Sequence, residues 1–365
     1  MPRRTCKSSP KSSPAAAPEA QPLSYLLIFL VFIVALCAAA FGFTAYESAR
    51  IERQFPNEGT LTDIGGYRLN ALTVPPGADP DLPPIVFIHG ASGNLRDQEA
   101  AFRAPLQGRA ELLFVDRPGH GYSERGGAEN DFPDGQADAI ARLMEKRGID
   151  KAIIVAHSFG GAIAASFALN HPDKVIGTVF LSAATHPWPG GIDWHYRLTA
   201  MPVLGWFFSH TLVMPAGLMM LDPATRSVFR PNQRRERYLE EGAPALVLRP
   251  QTFRNNARDV ANLLSYVRGI APRYTEIKSP AVIITGDSDP IVLADIHSTG
   301  LKRDLEHSEL VWVKGLGHKP DYVVTDLVIA AIEKLSGKDR DLQAIARVDE
   351  QRIAAENAAG AQSRP

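Results

Sequence analysis

The chain has 365 residues with 39 basic and 40 acidic side chains, so its formal net charge is −1 at pH 7. It therefore lacks the basic surplus of a nucleic-acid-binding protein, and its hydrophobic content of 45% excludes a mostly disordered chain. The two cysteines, Cys6 and Cys37, both precede the predicted globular part, which excludes a disulfide framework and a thiolate metal site there.

The N-terminal region combines a polar tail with a long apolar segment. Residues 1–22 are rich in Ser, Pro and Ala, which predicts a disordered basic tail. Residues 23–46 contain no charged side chain, and Leu23–Phe43 as a helix would measure about 31 Å, which matches the thickness of a bilayer core. We therefore expect residues 23–46 to form a single-pass transmembrane anchor.

The charges around the apolar segment predict its orientation. Four basic residues precede it and two follow it closely: Arg3, Arg4, Lys7 and Lys11 before it, and Arg50 and Arg53 after it. Because basic residues accumulate on the cytoplasmic side, we expect a cytoplasmic N-terminus and a folded part on the outer, periplasmic or extracellular side. A cleaved signal peptide is the alternative, with Ala38–Ala40 as the place of cleavage, although signal-peptide apolar regions usually span only about 7–15 residues.

Short apolar runs rich in Val and Ile recur through the rest of the chain and predict strands. They are Leu61–Ile64 and Tyr67–Thr73, which flank Gly65-Gly66 as a hairpin, then Ile85–Ile88, Leu112–Val115, Ala152–Val155, Val175–Leu181, Ala281–Thr285 and Leu310–Val313. Helical patterns lie between the strands, at Gln136–Lys146, Gly160–Leu169 and Tyr322–Leu335. This alternation predicts an α/β fold, with a mostly parallel sheet covered by helices on both faces.

The rhythm of strands and helices is interrupted once, between Leu181 and Ala281. This stretch shows no strand pattern and is rich in Trp and Met. We predict that residues 186–271 form a helical lid inserted into a core made of residues 47–185 and 272–336. Residues 337–365 are predicted to form a polar C-terminal tail, to which we assign no function.

The segment 153–162 has the pattern of an apolar strand, a sharp turn and the start of a helix. A serine at such a turn lies in strained backbone with its hydroxyl exposed above the edge of the sheet. Small residues on both sides, Ala156, Gly160 and Gly161, allow the turn to close tightly. This pattern identifies Ser158 as a candidate nucleophile.

A serine hydroxyl is a weak nucleophile unless a base takes its proton, and an imidazole base needs a carboxylate to fix its tautomer. His318 lies in a loop just after the last predicted strand, at the same edge of the sheet. Two carboxylates, Asp287 and Asp289, follow the seventh predicted strand. We select Asp289 as the partner of His318 and expect Asp287 to bind nearby backbone N–H groups in the turn.

An oxyanion formed during acyl transfer needs donors, which are normally two backbone N–H groups. Phe159, directly after the candidate nucleophile, is expected to supply one of them. The loop after the third predicted strand, residues 89–94, is expected to supply the other. Ala91 is the best candidate donor, and His89 is expected to shape the loop by hydrogen bonding.

Over roughly residues 60–336 the chain resembles a lid-bearing α/β-hydrolase. The motifs that carry the resemblance occur in family order: His89-Gly90, the loop 116–123, the Ser158 turn, Gly286 followed by Asp289, and Gly317-His318. Ala156 stands where the family pattern has Gly, and a small side chain tolerates that change. The resemblance implies a catalytic triad of Ser158, Asp289 and His318 and no metal or cofactor. Related haloalkane dehalogenases and epoxide hydrolases carry Asp at the turn, so Ser158 argues against both.

The expected function is that of a membrane-anchored serine esterase, similar to a monoacylglycerol lipase, acting on a small-molecule ester with a lipophilic acyl group. Apolar lid residues are candidates for the acyl pocket: Trp206, Phe207, Met214 and Met219. The same triad could instead cleave a C–C bond or an amide, or act as a cofactor-free perhydrolase, although perhydrolases usually lack so large a lid. A non-catalytic binding protein on a hydrolase scaffold is the alternative from another class, and the oligomeric state stays open.

Overall fold

The computed structural model describes residues 22–362, so the predicted basic tail, apart from Pro22, lies outside the described residues. Eight strands form one sheet in the order β1-β2-β4-β3-β5-β6-β7-β8. Their bounds are β1 Thr60–Asp63, β2 Arg68–Val74, β3 Ile85–Ile88, β4 Leu112–Val115, β5 Ala152–His157, β6 Val175–Leu181, β7 Ala281–Gly286 and β8 Ser308–Val313. Strand β2 is antiparallel to β1 and β4, whereas β3 to β8 pair in parallel, which confirms the predicted mostly parallel sheet.

The α-helices alternate with the strands, except in one long insertion. They are α1 Pro22–Gln54, α2 Leu95–Leu106, α3 Pro133–Arg147, α4 Phe159–Asn170, α5 Trp194–Ala200, α6 Pro202–Thr211, α7 Val213–Phe229, α8 Tyr238–Glu241, α9 Pro250–Ile270, α10 Ala294–Asp304, α11 Pro320–Val323, α12 Thr325–Leu335 and α13 Leu342–Gln362. Helices α5 to α9 lie between β6 and β7, and the described residues of this insertion contain no strand. The insertion is therefore helical, as predicted.

Both faces of the sheet are covered, because side chains of a strand point alternately to opposite sides. Along β5, Ile154 and Ala156 join an apolar cluster with α3, α4 and α10. Ile153 and Val155 join a second cluster with α2, α12 and α13. Burial on both sides explains why the central strands are continuous runs of Val, Ile, Leu and Phe with no polar alternation.

The C-terminal region differs from the predicted polar tail, because most of it is the 21-residue helix α13. Leu342, Ala346 and Ile353 of this helix are buried in the cluster under α12 and β8. Their spacing places them on one face of the helix, and the charged residues between them mask this pattern in the sequence.

Helix α1 also runs further than predicted, to Gln54 instead of residue 46. The side chains of residues 24–36 are exposed, whereas from Cys37 onward one face of the helix contacts the rest of the protein, and Thr44, Glu47 and Ile51 are buried. The segment Ser24–Gln54 is long and apolar enough to cross a membrane. The pair α6 and α7 meets the same criterion only if the two helices, bent by 66°, are taken as one broken span.

Close backbone packing at the end of β7 generates a prediction. A Cβ on Gly286 would overlap with the carbonyl of Leu316, in the loop that leads to His318. We expect Gly286→Ala to lower the free energy of unfolding by at least about 1–3 kcal/mol, the typical cost of overpacking, in urea titrations of the detergent-solubilised protein. Gly269→Ala is the control, because no atom outside the adjoining part of its own helix lies within 4 Å of that Cβ, and Ala is favoured over Gly in a helix. Equal stability of the two variants would contradict the argument.

Candidate active site

Ser158 occupies the sharp turn between β5 and α4. Its backbone has φ 53° and ψ −119°, a conformation that is strained for a residue with a side chain. The turn closes because its neighbours are small: a Cβ on Gly160 would lie 2.5 Å from the carbonyl oxygen of Ile88, and one on Gly161 would overlap with Ala183. The strain therefore falls on the one residue whose hydroxyl is presented above the sheet edge.

The structure brings Ser158, His318 and Asp289 together in one hydrogen-bonded chain. The Ser158 hydroxyl donates to Nε2 of His318 at 3.0 Å, and Nδ1 of His318 donates to Oδ2 of Asp289 at 2.8 Å. All three residues are buried. The serine can therefore give its proton to Nε2 of His318, because the Asp289 carboxylate holds the other ring nitrogen, Nδ1, in its protonated form.

The Asp289 carboxylate is held in place by more than the imidazole. Its Oδ1 accepts the backbone N–H groups of Ile291 at 2.8 Å and Val292 at 3.0 Å. Burial alone would raise the pKa of Asp289, but the charge and hydrogen bond of His318, together with these N–H groups, keep that pKa below its ordinary value. Asp289 thus stays ionised, as the partner of an imidazolium must.

Asp287 lies in an exposed position and has different contacts. Its Oδ1 accepts the backbone N–H of Gly315 at 2.7 Å and the hydroxyl of Ser288 at 2.8 Å. It therefore links the loop after β7 to the loop after β8. The sequence pattern predicted bonds to nearby backbone N–H groups in its own turn, but the backbone N–H that Asp287 accepts comes from the other loop.

Ala91 and Phe159, the two candidate oxyanion donors, lie on either side of Ser158. Gly90 approaches the serine so closely that a Cβ on it would lie 3.0 Å from the Ser158 Cβ. Phe159 is the first residue of α4, where a backbone N–H has no partner within the helix. Within residues 22–362, neither the Ala91 nor the Phe159 N–H donates a hydrogen bond to another residue. Both N–H groups therefore have no partner among the described residues, as their predicted role of oxyanion donors requires.

A fully buried arginine that sequence analysis did not single out holds both donor segments. The Arg117 guanidinium donates to the carbonyl of Gly90 at 3.1 Å and lies over the Phe159 ring, 4.5 Å from its centroid. Asp259, on lid helix α9, balances the charge at 2.9 Å. Burial lowers the pKa of Arg117 to about 10, so the side chain is still charged at neutral pH. The arginine belongs to the loop 116–123 that the sequence analysis noted as a motif.

Helix α9 supports the same loop at a second point. Asn256 accepts the backbone N–H of Ser92 at 2.7 Å, and its amide donates to the Ser92 hydroxyl at 3.1 Å. Asn256 is fully buried and follows Ala91 by more than a hundred residues of chain. Only the fold brings the two segments together, and no sequence pattern indicated the pair.

A buried cation lies next to His318. The Lys319 ammonium is 2.9 Å from Asp97 and 3.0 Å from Asp321, and it faces the rings of Phe229, Tyr238 and Tyr322. Burial alone would lower the pKa of Lys319, but the two carboxylates raise it overall. Asp97, Asp321 and His157 have a spacing suited to a metal ion, and the lysine provides a positive charge between the carboxylates.

The four candidate pocket residues lie on α6 and α7 in different surroundings. Trp206 and Phe207 pack against Phe41 of α1, Met214 is buried near Ile51, and Met219 is exposed. The assignment of these four residues to an acyl pocket stays a prediction.

The fold and the arrangement around Ser158 are those of a hydrolase. The chain matches the family model described as alpha/beta hydrolase fold over residues 83–320, more than half of its length, and it belongs to this family of enzymes.

Two curated relatives match shorter parts of the chain. It is 32% identical over 122 residues to the dihydrolipoyllysine-residue acetyltransferase component of the acetoin cleaving system of Cupriavidus necator, over 33% of this chain and 31% of that protein. It is 34% identical over 103 residues to the sn-1-specific diacylglycerol lipase ABHD11 of Mus musculus, over 27% of this chain and 31% of that protein. The chain thus spans about a third of the length of each relative.

Among solved structures, the bromoperoxidase of Bacillus anthracis is similar in fold, with a TM-score of 0.61 and 19% identity. The match covers 77% of this chain and 100% of that chain. At this identity, the likeness concerns the fold and not the reaction.

The ion pairs of Asp259 generate a prediction. This carboxylate is fully buried between Arg117 and Arg125, so Asp259→Asn removes the charge that compensates two arginines. We expect a loss of about 3–5 kcal/mol in the free energy of unfolding, measured by urea titration. Asp222→Asn is the matched control, because Asp222 also pairs with two arginines but lies on the surface, and it should leave the unfolding midpoint nearly unchanged. A similar effect of both substitutions would show that burial of the carboxylate does not determine the loss in free energy of unfolding.

Proposed function

We propose that the protein hydrolyses carboxylic esters through an acyl-enzyme on Ser158, with His318 as general base and Asp289 as the group that orients it. The observation that carries this proposal is the chain of two hydrogen bonds, 3.0 Å and 2.8 Å long, from the serine hydroxyl to the carboxylate. It stands beside two backbone N–H groups that have no partner among the described residues.

The proposed reaction begins when Oγ of Ser158 attacks the ester carbonyl carbon and Nε2 of His318 takes the hydroxyl proton. The carbonyl oxygen becomes an oxyanion, which the N–H groups of Ala91 and Phe159 stabilise by hydrogen bonding. The bond to the alcohol oxygen then breaks, and the leaving alcohol takes the proton from His318. A water molecule, deprotonated by the same nitrogen, then attacks the acyl carbon. The bond from that carbon to Oγ of Ser158 breaks, Oγ takes the proton back from His318, and the carboxylic acid is released.

The proposed substrate is an ester with a lipophilic acyl group, and the proposed location is a membrane surface. The supports are the apolar lid and the apolar helix α1, together with the likeness to a mammalian diacylglycerol lipase. We propose that α1 is an uncleaved anchor with a cytoplasmic N-terminus. The catalytic domain would then act on the outer side of the membrane.

The acyl-enzyme is the first test. Mixing the full-length protein in detergent with a p-nitrophenyl acyl ester and quenching in acid should leave the acyl mass on the peptide that contains Ser158. Ser158→Ala should abolish this adduct and reduce turnover by several orders of magnitude, because the lost group forms the covalent bond. Equal turnover by the variant would refute the role of Ser158. Acylation of the wild type without turnover would refute ester hydrolysis as its reaction, because the acyl-enzyme would then not react with water.

The two acidic residues after β7 give a second, internally controlled test. Asp289→Asn should lower kcat by a factor on the order of 10⁴, because the amide stabilises the wrong imidazole tautomer and carries no charge. Asp287→Asn should affect kcat far less, since Asp287 is exposed and accepts, among the described residues, only the Gly315 N–H and the Ser288 hydroxyl. Both variants are measured with the same soluble ester. The reverse ranking would transfer the orienting role to Asp287.

A further inference from the structure

Helices α6 and α7 of the lid form an apolar surface that no described residue covers. From Pro202 to Leu221 the chain contains no Asp, Glu, Lys or Arg. Several of its largest apolar side chains are exposed: Val203 at 73%, Leu204 at 59%, Leu212 at 57%, Met219 at 81% and Met220 at 57%. So many large exposed apolar side chains in one stretch without a charged residue are unusual on a protein that meets only water.

Polar groups of α6 are turned inward, onto the helix itself. The Ser209 hydroxyl donates to the carbonyl of Trp206 at 2.9 Å, and the Thr211 hydroxyl donates to the carbonyl of Phe207 at 2.7 Å. Nδ1 of His210 donates to the carbonyl of Trp206 at 2.7 Å. Ser209 and Thr211 are also buried, so neither hydroxyl adds an unpaired polar group to the exposed face of the helix, which suits contact with lipid.

Contacts with α1 give the position of this surface relative to a bilayer. About 20 apolar residues are needed to cross the hydrocarbon core, and Leu23–Phe43 provides them. Phe41, near the end of that stretch, contacts Trp206 with ring centroids 5.3 Å apart and His210 at 5.6 Å. Because Phe41 lies at the membrane boundary when α1 spans the bilayer, α6 lies at that boundary too. Trp is a typical residue of this boundary.

The same lid is joined to the loop next to Ser158. Arg254 on α9 donates to the carbonyl of Pro202, at the start of α6, over 3.1 Å. Asn256, on the same helix, holds the backbone of Ser92. One helix thus connects the apolar surface with the candidate oxyanion loop.

We propose that the exposed face of α6 and α7 inserts into the outer surface of the lipid bilayer beside α1, so that Ser158 receives ester substrates from that leaflet. This inference rests on the anchoring and the ester hydrolysis proposed above. Insertion of the lid, anchoring by α1 and ester hydrolysis are measured separately, so that failure of one is distinguished from failure of the others.

The first measurement reports insertion without using activity. Full-length protein lacking its natural thiols, through Cys6→Ser and Cys37→Ala, carries Leu204→Cys labelled with an environment-sensitive fluorophore and is reconstituted in phosphatidylcholine vesicles. We expect brominated phosphatidylcholine to quench this label strongly. The same label at Val348→Cys on α13, where the native side chain is 67% exposed, is the control and should be quenched little. Equal quenching at both positions, or none at 204, overturns the docking proposal whatever the protein hydrolyses.

The second measurement reports delivery of substrate. Val203→Asp combined with Met220→Asp should lower hydrolysis of a long-chain monoester in vesicles by about tenfold or more, because charged side chains oppose insertion of apolar ones. Turnover of a water-soluble short-chain ester should change less than about twofold. Val348→Asp is the matched control and should affect neither substrate. Alkaline extraction should leave all variants in the membrane, since α1 is unchanged.

The results of these measurements distinguish substrate delivery, insertion of the lid, ester hydrolysis and anchoring by α1. Equal loss on both esters, or no loss on either, overturns the delivery of substrate through the lid. A quenched label at position 204 with no ester turnover by the wild type supports docking and refutes the proposed function. Release of the wild type at alkaline pH refutes the anchor, and with it the geometric argument for docking.

Discussion

Parallel pairing of β3 to β8 is the constraint on which the rest of the molecule depends. It sends the carboxyl ends of these strands to one edge of the sheet, where the loops after β3, β5, β7 and β8 meet. The four loops contain the Ala91 donor, the Ser158 turn, Asp289 and His318. Ser158 and His318, which are 160 positions apart in sequence, are therefore brought into contact by the order and direction of the strands.

The position of the loops at one edge of the sheet does not by itself hold the reacting groups as precisely as acyl transfer requires. The buried charges beside the edge provide that precision. Arg117 touches both candidate donor segments, and Lys319 connects the segment after His318 to α2 through Asp97. A buried charge is costly unless its partners are complete, so these loops have few alternative positions. Rigidity around Ser158 is thus obtained from ion pairs that contact no reacting atom.

Most of the fold could be predicted from the sequence, because buried strands and amphipathic helices leave periodic patterns in it. The meeting of Ser158, His318 and Asp289 could also be predicted, since each follows a recognisable strand and turn. Asn256 and Asp259 could not be predicted, because their partners lie more than a hundred residues away and an isolated polar residue on a helix has no distinctive pattern. The surroundings of Trp206 and Phe207 were missed for a related reason: their packing against Phe41 depends on how α1 lies against the lid, which no local pattern indicates.

The last helix has a consequence beyond its contribution to the core. Strand β8 is the final strand of the sheet, and its outer side would otherwise present unpaired backbone groups. Side chains of α13 occupy this side: Gln343 donates to the carbonyl of Leu310, and Glu350 accepts the N–H of Lys314 just beyond the strand. An open edge of this kind is a template for pairing with another chain. By covering it, α13 prevents a strand of another molecule from pairing with β8, and so protects the protein from edge-to-edge aggregation.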